Sequence, residues 1–137
     1  MKIAVISETA ALETRVAATP ETIKKLIGLG AAITIEAGAG KNSGIPDADF
    51  AAAGAIIAPS AKEALSDAAV VLKVRRPSDA EIALIPKGAL VLAIMDPYDS
   101  AEALSAMAHA GLSAFSMELM PRITRAQVMD VLSSQAN

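Results

Sequence analysis

The chain has no cysteine and no tryptophan, and its aromatic residues are one tyrosine and two phenylalanines among 137 residues. Without cysteine there is no disulfide framework, no thiolate nucleophile and no cysteine-type metal site. The single histidine argues against a histidine-based metal site as well, so no metal is expected. The core must instead be built from aliphatic side chains, and 53% of the residues are hydrophobic.

Charge clusters and long apolar runs are also missing. The net charge is -3 with both signs interspersed, which indicates neither a nucleic-acid partner nor a disordered tail. The N-terminal apolar run is too short for a signal peptide. No run approaches the roughly 20 residues that cross a bilayer. We expect one soluble, cytoplasmic domain, which leaves room for a membrane-bound partner chain.

Short apolar runs alternate with helix signals along the whole chain. Runs that are apolar on both faces are typical of strands in a parallel sheet. The expected strands are 2–6, 32–36, 55–57, 69–74, 89–94 and 112–117, and the expected helices are 20–27, 47–53, 60–66, 78–85 and 100–110. The alternation predicts an α/β fold, a Rossmann-like three-layer sandwich with a mostly parallel sheet, in a single domain over residues 1–137.

A glycine-rich loop, Gly38–Gly44, follows the second expected strand and superficially resembles a dinucleotide fingerprint. That fingerprint requires a strand, a tight turn and a helix in immediate succession, so that the pyrophosphate meets free backbone amides. Here Ile45 and Pro46 interrupt the chain where the helix should begin. We interpret the segment as a plain loop, so the chain lacks a dinucleotide fingerprint.

Active groups in such folds lie beyond the carboxyl ends of the strands. That edge gathers loops with several polar candidates. Lys73 ends an apolar strand, so it either snorkels to the sheet edge, the commoner case, or is buried and paired. Arg75 and Arg76 make the edge basic enough for a carboxylate or phosphate, whereas an isolated loop arginine such as Arg15 is usually solvated. His109, near a helix end, is expected to be structural.

The segment from Met120 to Gln135 is the most polar part of a hydrophobic chain. Thr124 and Gln127 match a capping box, which predicts a helix from about Arg125. On that helix Val128, Val131 and Leu132 share one face, and the polar side chains share another. The polar face comprises Gln127, Asp130 and Ser133. Without further information a solvated surface is the simpler interpretation of this face.

Several of these segments together resemble a known family. The C-terminal stretch 118–137 is similar to the NAD(H)-binding component, called domain I of the alpha subunit, of proton-translocating nicotinamide nucleotide transhydrogenases. Four further segments match in the same order, so the resemblance covers essentially the whole chain. They are 15–20, 24–30, 36–40 and 72–77. These residues correspond to the N-terminal subdomain shared with alanine dehydrogenase.

The resemblance implies an enzyme component that works with other parts. NAD(H) would be bound mainly by a second half with the glycine fingerprint, expected after Asn137, and NADP(H) by a separate partner component. The intact protein would be a homodimer, peripheral to the inner membrane through a membrane subunit. The whole assembly would transfer hydride between NADH and NADP+ and couple this transfer to proton translocation, with the 137-residue chain inactive alone.

The resemblance also implies roles for residues of the C-terminal segment. Arg122, Asp130 and Ser133 would contact the nicotinamide end of NAD(H), orient its carboxamide and hold the ring. Gln127 would reach toward the NADPH of the partner component. Arg122, Gln127 and Asp130 are therefore the expected catalytic residues, acting by positioning.

Two other interpretations remain open from the sequence. Arg15 and Lys73 match an arginine and a lysine with which alanine dehydrogenases bind a keto acid, so the chain could be the substrate half of such an enzyme. The matching histidine is missing from Ile94–Tyr98, and keto-acid reduction needs a proton donor. This absence favours a transhydrogenase. The third interpretation is a non-catalytic, stand-alone interaction module.

Overall fold

The computed structural model describes residues 1–121 and 123–130. Strands and helices alternate as the sequence predicts, and the elements are β1 (Lys2–Val5), α1 (Pro20–Gly28), β2 (Ala32–Glu36), α2 (Asp47–Ala52), β3 (Ile56–Ala58), α3 (Ala61–Leu65), β4 (Val70–Arg75), α4 (Asp79–Ile82), β5 (Leu90–Ile94), α5 (Ala101–His109) and β6 (Ser113–Ser116). Short 3-10 turns occupy Lys41–Ser43, Met117–Leu119 and Gln127–Met129.

Local signals explain where the helices begin. Thr19 caps α1 by accepting a hydrogen bond from the Thr22 amide, and Pro20 takes the first helical position. Ser60 caps α3 through the Glu63 amide. Ser78 and Glu81 form a reciprocal capping box on α4. This last helix ends at Ile82, earlier than the expected Ile85.

All six strands run parallel in the order β3-β2-β1-β4-β5-β6. The sheet is therefore wholly parallel in the described residues, and the Rossmann-like α/β prediction is confirmed. Each new strand joins an edge of the sheet, and the order reverses at β1. The carboxyl ends of β1 and β4 are thus neighbours at the reversal point, where sheets of this class place their ligands.

The two faces of the sheet are covered unequally. On one face α3, α4 and α5 enclose a core that runs from Ala4 to Met107. On the other face α1 and α2 enclose Ile23, Ile33 and Phe50, and their main strand contacts fall on β2 and β3. The expected third layer is therefore incomplete over β4, β5 and β6 in the described chain.

The burial of the strands follows this difference. Consecutive residues of β1 and β2 are buried on both faces, whereas β4 and β5 alternate between buried and half-buried positions. Edge strand β6 has its Phe115 side chain 47% exposed. We call β1, β2 and β3 the covered wing, and β4, β5 and β6 the half-covered wing.

The prediction of a helix from about Arg125 is wrong for the residues that the structure describes. Only the 3-10 turn Gln127–Met129 forms; its cap residue is Ala126, and no side chain caps it. The Thr124 capping box is therefore absent, and Asp130 already has extended backbone angles. The rest of the expected helix, from Val131 onward, lies outside the described residues.

Candidate functional site

A cavity of about 380 Å³ opens at the carboxyl ends of β4 and β5. Its floor is the uncovered face of the half-covered wing, formed by Leu72, Leu92 and Ile94. Its walls are Arg15, Val16, Ala17, Lys73, Val74 and Met117. The lining residues come from the loop after β1, from strands β4 and β5, and from the turn after β6. The cavity is therefore mainly apolar, with charged groups at its margin.

Lys73 does not snorkel to solvent, and the commoner expectation for it is wrong. Its side chain is 1% exposed, and its Nζ lies 2.6 Å from Glu81 Oε1 and 3.9 Å from Glu8 Oε2. The ammonium also donates to the Ser7 carbonyl at 3.3 Å. Burying a charge is tolerated when it is paired and hydrogen-bonded in this way. The alternative of a buried, paired lysine is the one that holds.

Glu8 sits in the same cluster and also binds backbone. Its carboxylate accepts hydrogen bonds from the Val74 amide at 2.7 Å and the Arg75 amide at 3.1 Å. Burial raises the pKa of Glu8 above its ordinary value, despite the opposing effect of these amides and of Lys73. Two carboxylates share one ammonium here, so one negative charge is left only partly compensated.

Arg15 is not the isolated, solvated arginine that its loop suggested. Its guanidinium forms a bidentate pair with Glu13, with Nε–Oε1 and Nη2–Oε2 distances both 2.7 Å. Glu13 also accepts from Arg75 Nε at 3.1 Å. Hydrogen bonds from Arg15 are the main cause that lowers the pKa of Glu13 to about 2. Arg15 and Lys73 therefore both pair with acids of this same chain.

The loop after β5 carries Asp96 and Tyr98. Asp96 has a φ of 52° and lies 3.7 Å from Arg76 Nη1 through its Oδ2. The same Arg76 nitrogen donates to the Met95 carbonyl at 3.1 Å and to the Ser100 hydroxyl. Arg76 therefore holds this loop against the start of α5, and Arg75 and Arg76 both have carboxylate partners.

Glu118 closes the loop after β5 from the other side. Its carboxylate accepts from the Met95 amide at 3.0 Å, from the Asp96 amide and from Ser116 Oγ at 2.6 Å. Burial on its own raises the pKa of Glu118, but the hydrogen bonds from Ser116, Met95 and Asp96 outweigh it and lower this pKa. Sequence reasoning missed this acid, together with Glu8 and Glu13. Only Glu81 had a readable signal, the Ser-x-x-Glu pattern after Pro77.

The glycine-rich loop has a packing explanation. A Cβ on Gly40 would lie 2.5 Å from the Ile45 carbonyl oxygen and 2.6 Å from the Phe50 ring. Gly38 has a φ of +80°, and its amide is bound by Asp47 at 2.9 Å. The loop therefore packs against the core formed by Ile23, Ile33 and Phe50. The Gly38 amide is already hydrogen-bonded within the chain, which agrees with the interpretation of this segment as a plain loop.

The predicted nicotinamide contacts are only partly within the described residues. Gln127 is exposed at the start of its 3-10 turn, Asp130 is half-buried, and the neighbouring Ala126 is buried. Arg122 and Ser133 lie outside the described residues. The roles of all four stay predictions. His109 is exposed, and its Nδ1 lies 2.7 Å from the Ser105 carbonyl of its own helix.

Membrane spans and metal sites are both absent from residues 1–121 and 123–130. No helix in these ranges is long and apolar enough to span a bilayer. No group of three or more histidine, aspartate or glutamate side chains there has the arrangement of a metal site.

The sequence model of the alanine dehydrogenase/PNT N-terminal domain matches residues 4–137. The chain belongs to this family. A curated relative from Rhodospirillum rubrum, the first part of its NAD(P) transhydrogenase subunit alpha, is 46% identical over 142 residues, covering all of this chain and 37% of the relative. The resemblance found in the sequence is thereby confirmed.

Solved structures of family members agree with the fold. The transhydrogenase from Sinorhizobium meliloti has a TM-score of 0.95 at 54% identity, and the match covers 99% of this chain and 40% of that one. An L-alanine dehydrogenase has a TM-score of 0.85 at 31% identity, with 92% of this chain and 34% of that one covered. This family domain therefore spans well under half the length of these relatives.

Proposed function

We propose that the chain is the part of a proton-translocating NAD(P) transhydrogenase that closes over the nicotinamide end of NAD(H). The observation that carries the proposal is the likeness to a transhydrogenase structure, with a TM-score of 0.95 over 99% of the chain. The complete assembly would transfer hydride between NADH and NADP+ and couple this transfer to proton translocation. The NAD-binding half, the NADP(H) component, the membrane subunit and a homodimeric arrangement belong to the same proposal.

The chemistry of the cavity supports the nicotinamide end of the cofactor rather than its phosphates. Pyrophosphate requires free backbone amides or cations. Here carboxylates of the chain itself occupy the amides of Gly38, Val74, Arg75, Met95 and Asp96. An apolar floor of Leu72, Leu92 and Ile94 suits the face of a flat, weakly polar ring. NAD(H) itself supplies the hydride; this chain orients the ring and excludes water.

Positioning is the contribution expected from the segment after β6. Direct hydride transfer requires two nicotinamide rings held face to face, so a small displacement lowers the rate steeply. Arg122, Asp130 and Ser133 would hold the carboxamide and ring of NAD(H), and Gln127 would face the NADP(H) component. Gln127 is exposed and therefore available for such a contact.

One observation argues against the alternative of an alanine dehydrogenase. The loop after β5 offers Asp96 where a proton donor is required, and this carboxylate lies 3.7 Å from Arg76. A carboxylate in an ion pair with a guanidinium is a poor general acid for a keto group. The chain offers no other titratable group in that loop except Tyr98 and Asp99, which are both exposed.

One experiment separates the two activities. The complete protein containing this chain is assayed with NADH and an NADP+ analogue in the presence of the NADP(H) component, and separately with NAD+ and alanine. We expect hydride transfer between nucleotides and no alanine-dependent NADH formation, because the keto-acid proton donor is missing. Alanine-dependent NADH formation without transhydrogenation would overturn the proposal. The 137-residue chain alone should not quench or enhance NADH fluorescence at micromolar concentration.

The predicted role of Gln127 has its own test in the same assay. Shortening the side chain by one methylene in Gln127→Asn should slow hydride transfer about tenfold or more and change the NADH dissociation constant less than about threefold. The control is Gln135→Asn, outside the predicted contact set. Equal losses in rate and in binding would contradict a positioning role for Gln127.

A further inference from the structure

Glu118 joins the segments that follow β5 and β6, two strands that pair as far as Ala93 and Ser116. It lies in the 3-10 turn Met117–Leu119, directly after β6, and its carboxylate binds the amides of Met95 and Asp96 at the end of β5. Ser116 Oγ donates to the same carboxylate at 2.6 Å. One side chain therefore fixes both the exit from β6 and the entry to the loop after β5.

We propose that Glu118 is a positioning residue that sets the path of the segment leading to Gln127, and that holds this segment in register with the Asp96 loop. The inference rests on the proposed function, because it concerns the segment assigned to the nicotinamide ring. Met117, between Ser116 and Glu118, lines the cavity. The three hydrogen bonds thus also fix a wall of the site.

The backbone of Asp96 adds to the argument for this contact. A φ of 52° lies in the left-handed region, which costs free energy for a residue with a Cβ, although less for aspartate than for most residues. Glu118 binds the amide of Asp96 on one side, and Arg76 pairs with its carboxylate on the other. Removing Glu118 leaves the Met95 and Asp96 amides without their anion and releases the loop.

Three other acids bind amides at or just after strand ends in the same manner, and one of them is Asp47, which accepts from the Gly38 amide after β2 at 2.9 Å. Glu36 accepts from the Ser7 amide at 2.8 Å at the end of β1, and Glu8 accepts from Val74 and Arg75 at the end of β4. Glu36 ends β2, Glu8 lies in the loop after β1 and Asp47 begins α2, so none of these acids leads directly into the predicted site. Glu118 is different because its own backbone leads into residues 119–130. A loss of its contacts is therefore transmitted toward the predicted site.

The first readout is direct and does not depend on activity. In amide NMR spectra of the 137-residue chain, the Met95 and Asp96 proton shifts should move together as pH falls below the ordinary carboxyl range, since a carboxylate acceptor deshields both. The movement should be lost in Glu118→Gln and kept in Glu102→Gln. Glu102 is the matched control, an exposed acid on α5. Unlinked titrations of the two amides would overturn the geometric basis.

The second readout is kinetic, in the complete protein with the NADP(H) component. Glu118→Ala should lower the rate of hydride transfer about tenfold while the NADH dissociation constant stays within about twofold. Added formate should restore part of the rate, because a small carboxylate fits the vacated amide pair; chloride at equal ionic strength should not. Glu102→Ala should behave as wild type.

The outcomes separate the two claims. A wild-type protein that does not transfer hydride contradicts the proposed function, and the NMR result then stands by itself. An active wild type with a Glu118→Ala variant of equal rate contradicts the positioning role alone. A Glu118→Ala variant that loses rate and NADH affinity equally, and whose rate formate does not restore, also contradicts the positioning role. General misfolding would produce that pattern.

Discussion

The central strands of the covered wing, β1 and β2, and those of the half-covered wing, β4 and β5, are all mainly apolar, yet only the first pair is buried on both faces. In β2, Ile33, Thr34 and Ile35 are all buried in succession. In β5, Val91 and Ala93 are buried, while the alternate residues Leu90, Leu92 and Ile94 are half-buried. The hydrophobic effect acts on both sets alike, so the difference comes from the helices: α1 and α2 contact mainly β2 and β3.

The cavity lies where residues 1–121 and 123–130 supply no helix over the sheet. Leu72, Leu92 and Ile94 are three of the half-buried positions of β4 and β5, and the same three side chains form the cavity floor. On the covered wing, the face of β2 that corresponds to this floor is instead packed against helices, with Ile33 and Ile35 in the same core as Ile23 and Phe50. Stability and ligand access are therefore separated between the two halves of one sheet.

The largest expected effect contrasts one phenylalanine from each wing. Phe50→Ala removes a fully buried ring from the covered wing and should lower the free energy of unfolding by about 3–5 kcal/mol. Phe115→Ala, at a ring 47% exposed on β6, should cost about 1 kcal/mol. Urea denaturation of both variants measures the contrast. Equal losses would mean that the wings do not differ in packing.

A somewhat smaller effect is expected at the boundary between the wings. Lys73→Met leaves Glu8 and Glu81 buried without their ammonium and should cost about 3 kcal/mol. The double variant with Glu81→Gln should recover part of the loss, because only one uncompensated acid remains. Lys62→Met, at an exposed lysine of α3, is the control. A loss no larger than that control would show that the buried cluster is energetically neutral.

The glycine-rich loop gives a third contrast, between two glycines of the covered wing. Gly40→Ala places a methyl group 2.5 Å from the Ile45 carbonyl oxygen and should cost about 2 kcal/mol. Gly28→Ala meets no atom within 4 Å at the end of α1 and should be neutral or stabilise by about 0.5 kcal/mol. Thermal unfolding compares them. If Gly40→Ala did not change the free energy of unfolding, the Phe50 ring would have to move aside easily, which would contradict the close packing of this loop.

The smallest effects concern pH, and they have opposite signs. The lowered pKa of Glu13 adds stability above the ordinary carboxyl value of 4.5, and this is lost as pH falls toward about 2. The raised pKa of Glu8 does the reverse: its contribution is complete below 4.5 and is lost as pH rises through the raised value. Glu13→Gln should therefore cost about 1 kcal/mol at pH 6, discounted for the exposure of Arg15.

Urea midpoints between pH 2 and pH 8 test both signs. Glu13→Gln should flatten the rise of stability on the acid side, and Glu8→Gln should flatten the decline above 4.5. Glu102→Gln, at an exposed acid of α5, serves as the control. Parallel curves for all three variants would contradict the assigned causes.

Most of the fold could be predicted from the sequence because its signals are local. Continuous apolar runs identified all six strands, and the Thr19-Pro20 and Ser60 caps placed their helices correctly. The helix predicted in the C-terminal segment does not form in the described residues, and the reason is physical. Val128, meant for the apolar face of a helix, is 84% exposed, and a short helix without packing is marginal even with a capping pattern.

The site was harder to predict because its contacts join distant elements. Arg15 and Lys73 were identified as candidates, but their partners depend on which strands become neighbours. Glu8 reaches the end of β4 only because β1 pairs with β4. A sequence pattern that describes one element at a time does not contain this information, so the acids that set the charge of the edge were missed.

The position of β1 in the middle of the sheet has a consequence for how the chain is made. Residues 1–58 already contain β1, β2 and β3 with both of their helices, so the covered wing can assemble while the rest is still being synthesised. Strand β4 must then add to a free edge of β1. We therefore expect the half-covered wing, which carries the cavity, to fold last, by adding its strands to β1 after the covered wing has formed.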